Sequence, residues 1–122
     1  MEKSKNYKDL LVWQKAIDLT EFTYKVTSKF PKEEIYGISS QMRRCSISIP
    51  SNIAEGQARG SLPQFIHFLN IAKGSMAELD TQIIIAKRLG YIDEVDQNMF
   101  ETVKSDTAKL LHGLINSLQK QG

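Results

Sequence analysis

Apolar residues recur along the chain at three- and four-residue spacing and do not alternate, which is the period of helices buried on one side. Few breakers interrupt the pattern, and each falls where a helix would start or stop. Phe30-Pro31 pushes the pre-proline residue out of the α region and ends a first helix that begins near Lys8 or Asp9. Gly60 is placed as a left-handed cap on the second helix. Ser61-Leu62-Pro63-Gln64 has the form of a capping box with proline in the first turn of the third. Gly90 follows Leu89 at the end of that helix, and Asp93 caps a fourth. The spacing therefore predicts helices at about 9–29, 33–59, 62–89 and 94–119. Joined by short connections, they make an all-α chain: one domain over residues 1–122, an antiparallel up-and-down four-helix bundle.

The first and fourth helices differ in how much apolar surface they carry. On the fourth, Val95, Met99, Phe100, Val103, Leu110, Leu111, Leu114 and Leu118 fall within an arc of about 160°, one core-facing stripe. On the first, apolar residues spread over roughly 220°, more than one bundle core covers. Val12, Trp13, Leu19, Phe22 and Tyr24 of that arc are the expected contributors to a subunit interface.

The second helix contains Ser48-Ile49-Pro50-Ser51-Asn52-Ile53-Ala54-Glu55-Gly56. An internal proline removes the hydrogen bond to the carbonyl four residues back, that of Ser46, and crowds it at a cost of about 3 kcal/mol. A kink at Pro50 follows, with Asn52 and the serines at 46, 48 and 51 as donors to freed carbonyls. On the third helix, His67, Ile71, Gly74, Glu78 and Ile85 share a strip beside the stripe of Phe65, Phe68, Leu69, Ala72, Met76, Leu79 and Ile83. Gly74 suggests close approach of another backbone, because glycine inside a helix costs about 1 kcal/mol relative to alanine. Glu78 is expected near buried surface, in a structural ion pair with Arg44, which leaves Arg43 outward.

Charge and composition then narrow the function. Sixteen Lys and Arg against fourteen Asp and Glu leave a net charge of +2, a weak basic bias. One cysteine, Cys45, forms no internal disulfide, and two histidines with one cysteine fall short of a zinc site. A di-iron carboxylate site needs paired Glu-x-x-His motifs, where this chain has Gln64-x-x-His67. Neither His67 nor His112 accompanies a nucleophile motif, so no catalytic residue, cofactor, metal or small-molecule substrate is expected. The charged opening residues and short apolar runs, Ile83 to Ala86 among them, predict neither export nor a membrane span, hence a cytoplasmic protein. Arg43, Arg59, Lys73, Lys87 and Arg88 are the candidate phosphate contacts. In a monomer they read as a mixed solvated face, but symmetry would repeat them around a ring.

Several strings of this chain resemble the bacterial four-helix-bundle proteins encoded by 23S rRNA intervening sequences. They are Val12-Trp13-Gln14-Lys15-Ala16, Phe30-Pro31, Glu34-Ile35-Tyr36-Gly37, Ser40-Gln41-Met42-Arg43-Arg44, the run from Ser48 to Gly56, and Phe68-Leu69 through Gly74-Ser75, Glu78-Leu79 and Thr81-Gln82. The likeness covers nearly all of the chain up to Tyr91. The resemblance implies an up-and-down bundle, assembly as a ring-shaped homopentamer, and similarity to accessory proteins of diversity-generating retroelements, which bind nucleic acid and a reverse transcriptase. It implies no catalytic residues. The expectation is a non-enzymatic protein, self-associating and binding structured RNA or a nucleic-acid-processing protein. The runner-up is a protein–protein scaffold that touches no nucleic acid.

Overall fold

The computed structural model describes residues 6–122, so the first five residues of the expected 1–122 unit lie outside the described residues. Among the described residues there are four α-helices and no strand: α1 (Leu11–Thr27), α2 (Ile38–Ala58), α3 (Leu62–Arg88) and α4 (Glu94–Gln121). Short 3-10 turns at Tyr7–Asp9 and Lys32–Glu34 precede α1 and α2. The second turn shortens α2 relative to the expected start near Glu33. There the Glu34 carboxylate accepts from the Ile38 amide at 3.5 Å and from the Tyr91 hydroxyl at 2.8 Å, which ties the α1–α2 connection to the segment after α3.

The punctuation behaves as its chemistry requires. Gly60 and Gly90 take φ of 69° and 81°, the left-handed conformation in which a side chain would be strained. Ser61 accepts from the Gln64 amide, and Asp93 accepts from the Asp96 amide at 2.8 Å.

α1 packs on α2 and α4, and α3 packs on the same two helices. Leu19, Met42, Ile49, Ile53, Leu69, Leu79, Ile83, Phe100 and Leu111 fill the core between them. Val12 and Leu19, expected at a subunit interface, are core residues at 4% and 0% exposure, and this corrects that assignment. The wide apolar arc of α1 is partly covered by its neighbours α2 and α4. Phe22 packs edge-on against Phe100 of α4 at 4.8 Å, while Trp13 and Ile17 line, with Ile47 and Pro50 of α2, an open groove of about 300 Å³. Trp13 is half-buried, and Tyr24 remains exposed at the rim. Thr23 and Thr27 complete the inner face by turning their hydroxyls back onto the Leu19 and Thr23 carbonyls at 2.8 Å. On α4, Val95 and Met99 are exposed, so the core stripe begins at Phe100.

α2 stays helical through Pro50. The Ser46 carbonyl, deprived of its amide partner, accepts from the Thr20 hydroxyl of α1 at 2.9 Å. The donor expected from within α2 is supplied across the helix pair. Asn52 Nδ2 donates instead to the Ser48 carbonyl at 2.7 Å, and the hydroxyls of Ser46 and Ser48 donate to the Arg43 and Cys45 carbonyls.

Candidate nucleic-acid interface

The basic residues singled out by sequence have different fates. Arg43 is half-buried on the α1 side of α2, where its Nε donates to Thr27 Oγ1 at 2.8 Å and its guanidinium lies 4.9 Å from the Tyr24 ring centre. Arg44, one residue on, is turned outward toward α3 and is exposed. The expected orientation of the two arginines is thus reversed. Arg59 is exposed but occupied, with Nε on Glu55 Oε2 at 2.8 Å and its guanidinium 4.8 Å from the Phe68 ring centre. Lys73 and Arg88 are exposed and Lys87 is half-buried. None of the three forms an ion pair among the described residues.

Glu78 is exposed, and it forms no ion pair with Arg44 among the described residues, which corrects the buried-pair expectation. The reason is angular: Glu78 lies on the solvent side of the stripe formed by Leu79 and Ile83, where water serves a carboxylate better than a buried partner would. Both charged groups instead line a groove of about 410 Å³ between α2 and α3, with Ser48, Asn52, Ile71 and Ser75. Cys45 lies in its floor. Its thiol donates to the Ser75 carbonyl at 3.1 Å, and burial, followed by the nearby Glu78 charge, pushes its pKa up to about 11. Below the groove the helices are pressed together at Gly56, where an added Cβ would come within 2.8 Å of Phe68 Cβ. Gly56, not Gly74, is the close approach; an added Cβ at Gly74 meets nothing within 4 Å.

Sequence reasoning missed Lys109 and Lys120. The signal lies in where carboxylates are absent. Neither residues 56–77 nor residues 107–122 contain an Asp or Glu, whereas 78–106 contain Glu78, Asp80, Asp93, Glu94, Asp96, Glu101 and Asp106. The start of α3 and the end of α4 meet, since a Cβ on Gly122 would touch Leu62 at 3.6 Å. Around these stretches lie Arg59, Lys73, Lys109 and Lys120, with His67 and His112, and of these cations Arg59 is held by Glu55 of α2. Away from them the acids take the cations: Asp96 holds Lys29 at 2.5 Å, and Asp80 and Glu101 hold Lys104. Those carboxylates raise the pKa of Lys29 through the Asp96 hydrogen bond. They also raise that of Lys104, against its own desolvation. Among the described residues no cluster of His, Cys, Asp and Glu could hold a metal, and no helix is long and apolar enough to cross a membrane.

The pattern of the 23S rRNA-intervening sequence protein family matches residues 8–113. The chain belongs to that family. The match extends past Tyr91 into α4, and it takes in the α2–α3 groove and every candidate cation except Lys120. The crystal structure of a protein with unknown function from the S23 ribosomal protein family of Bacteroides thetaiotaomicron VPI-5482 is similar over 89% of this chain and 98% of that chain, with a TM-score of 0.81 and 25% identity. No curated protein matches the chain.

Proposed function

We propose that the protein is a non-enzymatic, cytoplasmic, ring-forming bundle that binds structured RNA, free or within a nucleoprotein. The observation that supports this reading is the face built from two carboxylate-free stretches, the first half of α3 and the second half of α4, where Lys73, Lys109 and Lys120 have no ion-pair partner among the described residues. Lysines not held in ion pairs release counterions when they meet phosphate, and a ring multiplies the effect by its subunit number. Lys87 and Arg88 lie farther along α3, beyond Glu78 and Asp80, and are secondary contacts. Arg43 and Arg59 are less available, being held by Thr27 and Glu55.

The helices are taken as an antiparallel up-and-down bundle forming one domain, with α2 bent at Pro50. Contacts between neighbouring helices run in opposite order along the chain: Cys45 with Ser75 and Gly56 with Phe68, Lys29 with Asp96 and Lys15 with Thr107. The assembly is a homopentamer, as the resemblance to the 23S rRNA intervening-sequence proteins implies, and the exposed Tyr24 and Ile47 with the rim of Trp13 contribute to it. Light scattering should return five times the chain's 13.8 kDa; the mass of a single chain at micromolar concentration would refute assembly. Likeness to the retroelement accessory proteins belongs to the same reading, as a nucleic-acid-processing partner.

The test is retention on a structured RNA by the parent and by the Lys73→Glu, Lys109→Glu, Lys120→Glu variant. The parent is retained and the variant is not, with unchanged melting. Equal behaviour of the two proteins would instead favour a protein–protein scaffold.

A further inference from the structure

We propose that the groove between α2 and α3 receives one unpaired guanine base. The inference rests on the RNA-binding reading but is tested separately from it. Two opposite charges border the groove from different helices, Arg44 on α2 and Glu78 on α3, and they form no ion pair with each other. Each keeps most of its hydrogen-bonding capacity. Glu78 accepts from Gln82 Nε2, at 3.4 Å, and also interacts with the Cys45 thiol, which leaves other lone pairs of the carboxylate open, and the Arg44 guanidinium has no acceptor among the described residues. Beside Glu78 the α3 backbone is bare, because Gly74 is exposed and an added Cβ would meet nothing. Glycine within a helix is destabilising relative to alanine. Nothing inside the chain uses the space that Gly74 leaves beside the groove, and within the groove Ile71 and Ser75 provide a low surface on which a planar ring can lie.

The polar groups select the ring. A carboxylate is acceptor-only and matches two adjacent donors, while a guanidinium fork matches two adjacent acceptors. Guanine alone among the RNA bases carries both, N1–H with the N2 amino group and O6 with N7. Adenine sets an acceptor next to its amino group on the corresponding edge, which a carboxylate repels. A phosphate is disfavoured by Glu78 for the same reason of charge. Because the Watson–Crick edge is engaged, the base must be unpaired, as in a loop or bulge. Asn52 uses one amide hydrogen on the Ser48 carbonyl and keeps its Oδ1 for a further donor.

The experiment titrates the full chain, labelled with ¹⁵N, with GMP, IMP and AMP while following the Gly74 and Ser75 amides and the Asn52 side-chain amide. GMP should shift all three, IMP should bind more weakly for want of the N2 amino group, and AMP should leave them unmoved. Glu78→Gln, at an exposed position, should fold normally and weaken GMP by about tenfold or more, with retention on polyuridine unchanged. AMP acting as well as GMP, GMP leaving these groups unmoved, or Glu78→Gln binding GMP like the parent would each overturn the assignment. Retention on polyuridine without GMP shifts removes the groove and leaves RNA binding intact. GMP shifts without retention on any RNA support the groove and remove the wider reading.

Discussion

The hydroxyl of Thr20 stands 2.9 Å from the carbonyl of Ser46, the group whose amide partner Pro50 removed. The same hydroxyl is 3.0 Å from the Ala16 carbonyl within its own helix, so a single proton is shared between two acceptors. α1 and α2 are thereby joined where α2 is weakest, and Ser46 is fully buried there.

Thr20→Val should destabilise the fold by about 1 to 3 kcal/mol, the cost of an unpaired buried acceptor. Thr20→Ser, which keeps the hydroxyl, should lose much less. In the Pro50→Ala background the penalty should shrink, because an amide is restored to Ser46. A double-mutant cycle in urea tests this, and an unchanged penalty would show that the two residues are not coupled.

Two glycines should respond in opposite directions. Gly56→Ala forces a Cβ against Phe68 and should cost about 1 to 3 kcal/mol. Gly74→Ala, in open space on a helix, should raise stability by up to about 1 kcal/mol. Thermal melts of the two variants make the comparison.

Glu78→Ala and Arg44→Ala should each change stability by no more than about 0.5 kcal/mol, the usual range for exposed positions. A buried pair would lose about 3 to 5 kcal/mol on losing one partner, and a loss of that size in either variant would restore the ion pair that the structure lacks.

Cys45 gives a pH signature. Its pKa rises from an ordinary 9.0 to about 11, so the folded state holds the thiol proton more tightly than the unfolded chain does. The resulting stability is fully present below pH 9 and is lost as pH rises toward about 11. Subtracting the profile of Cys45→Ala removes the parallel titration of lysines and tyrosines. The difference should fall across that window, and a flat difference would mean that the thiol is not perturbed.

The architecture was legible because it depends on local chemistry: Gly60, Gly90, Ser61 and Asp93 each act through their own backbone neighbourhood. What failed depends on angles between helices. A wide apolar arc on α1 reads alike whether a second subunit or the bundle's own helices cover it, and here the core takes Val12 and Leu19 while Phe22 packs on Phe100 of α4. Arg43 and Arg44 differ by one residue, about 100° around the helix, and sequence alone did not fix which of them meets α1. Gly56 and Gly74 are both mid-helix glycines, and only the packing of Phe68 distinguishes them. Thr20 was invisible as the partner of Ser46, since the two lie 26 residues apart. Lys109 and Lys120 were missed because cations were weighed one by one, not by the carboxylates missing around them.

The most direct measurement of the central claim is the salt dependence of binding to a structured RNA. The logarithm of the association constant should fall linearly with the logarithm of salt concentration, and the slope should flatten in the Lys73, Lys109 and Lys120 glutamate variant. A parent protein whose RNA binding is absent, or is the same at every salt concentration, would contradict it.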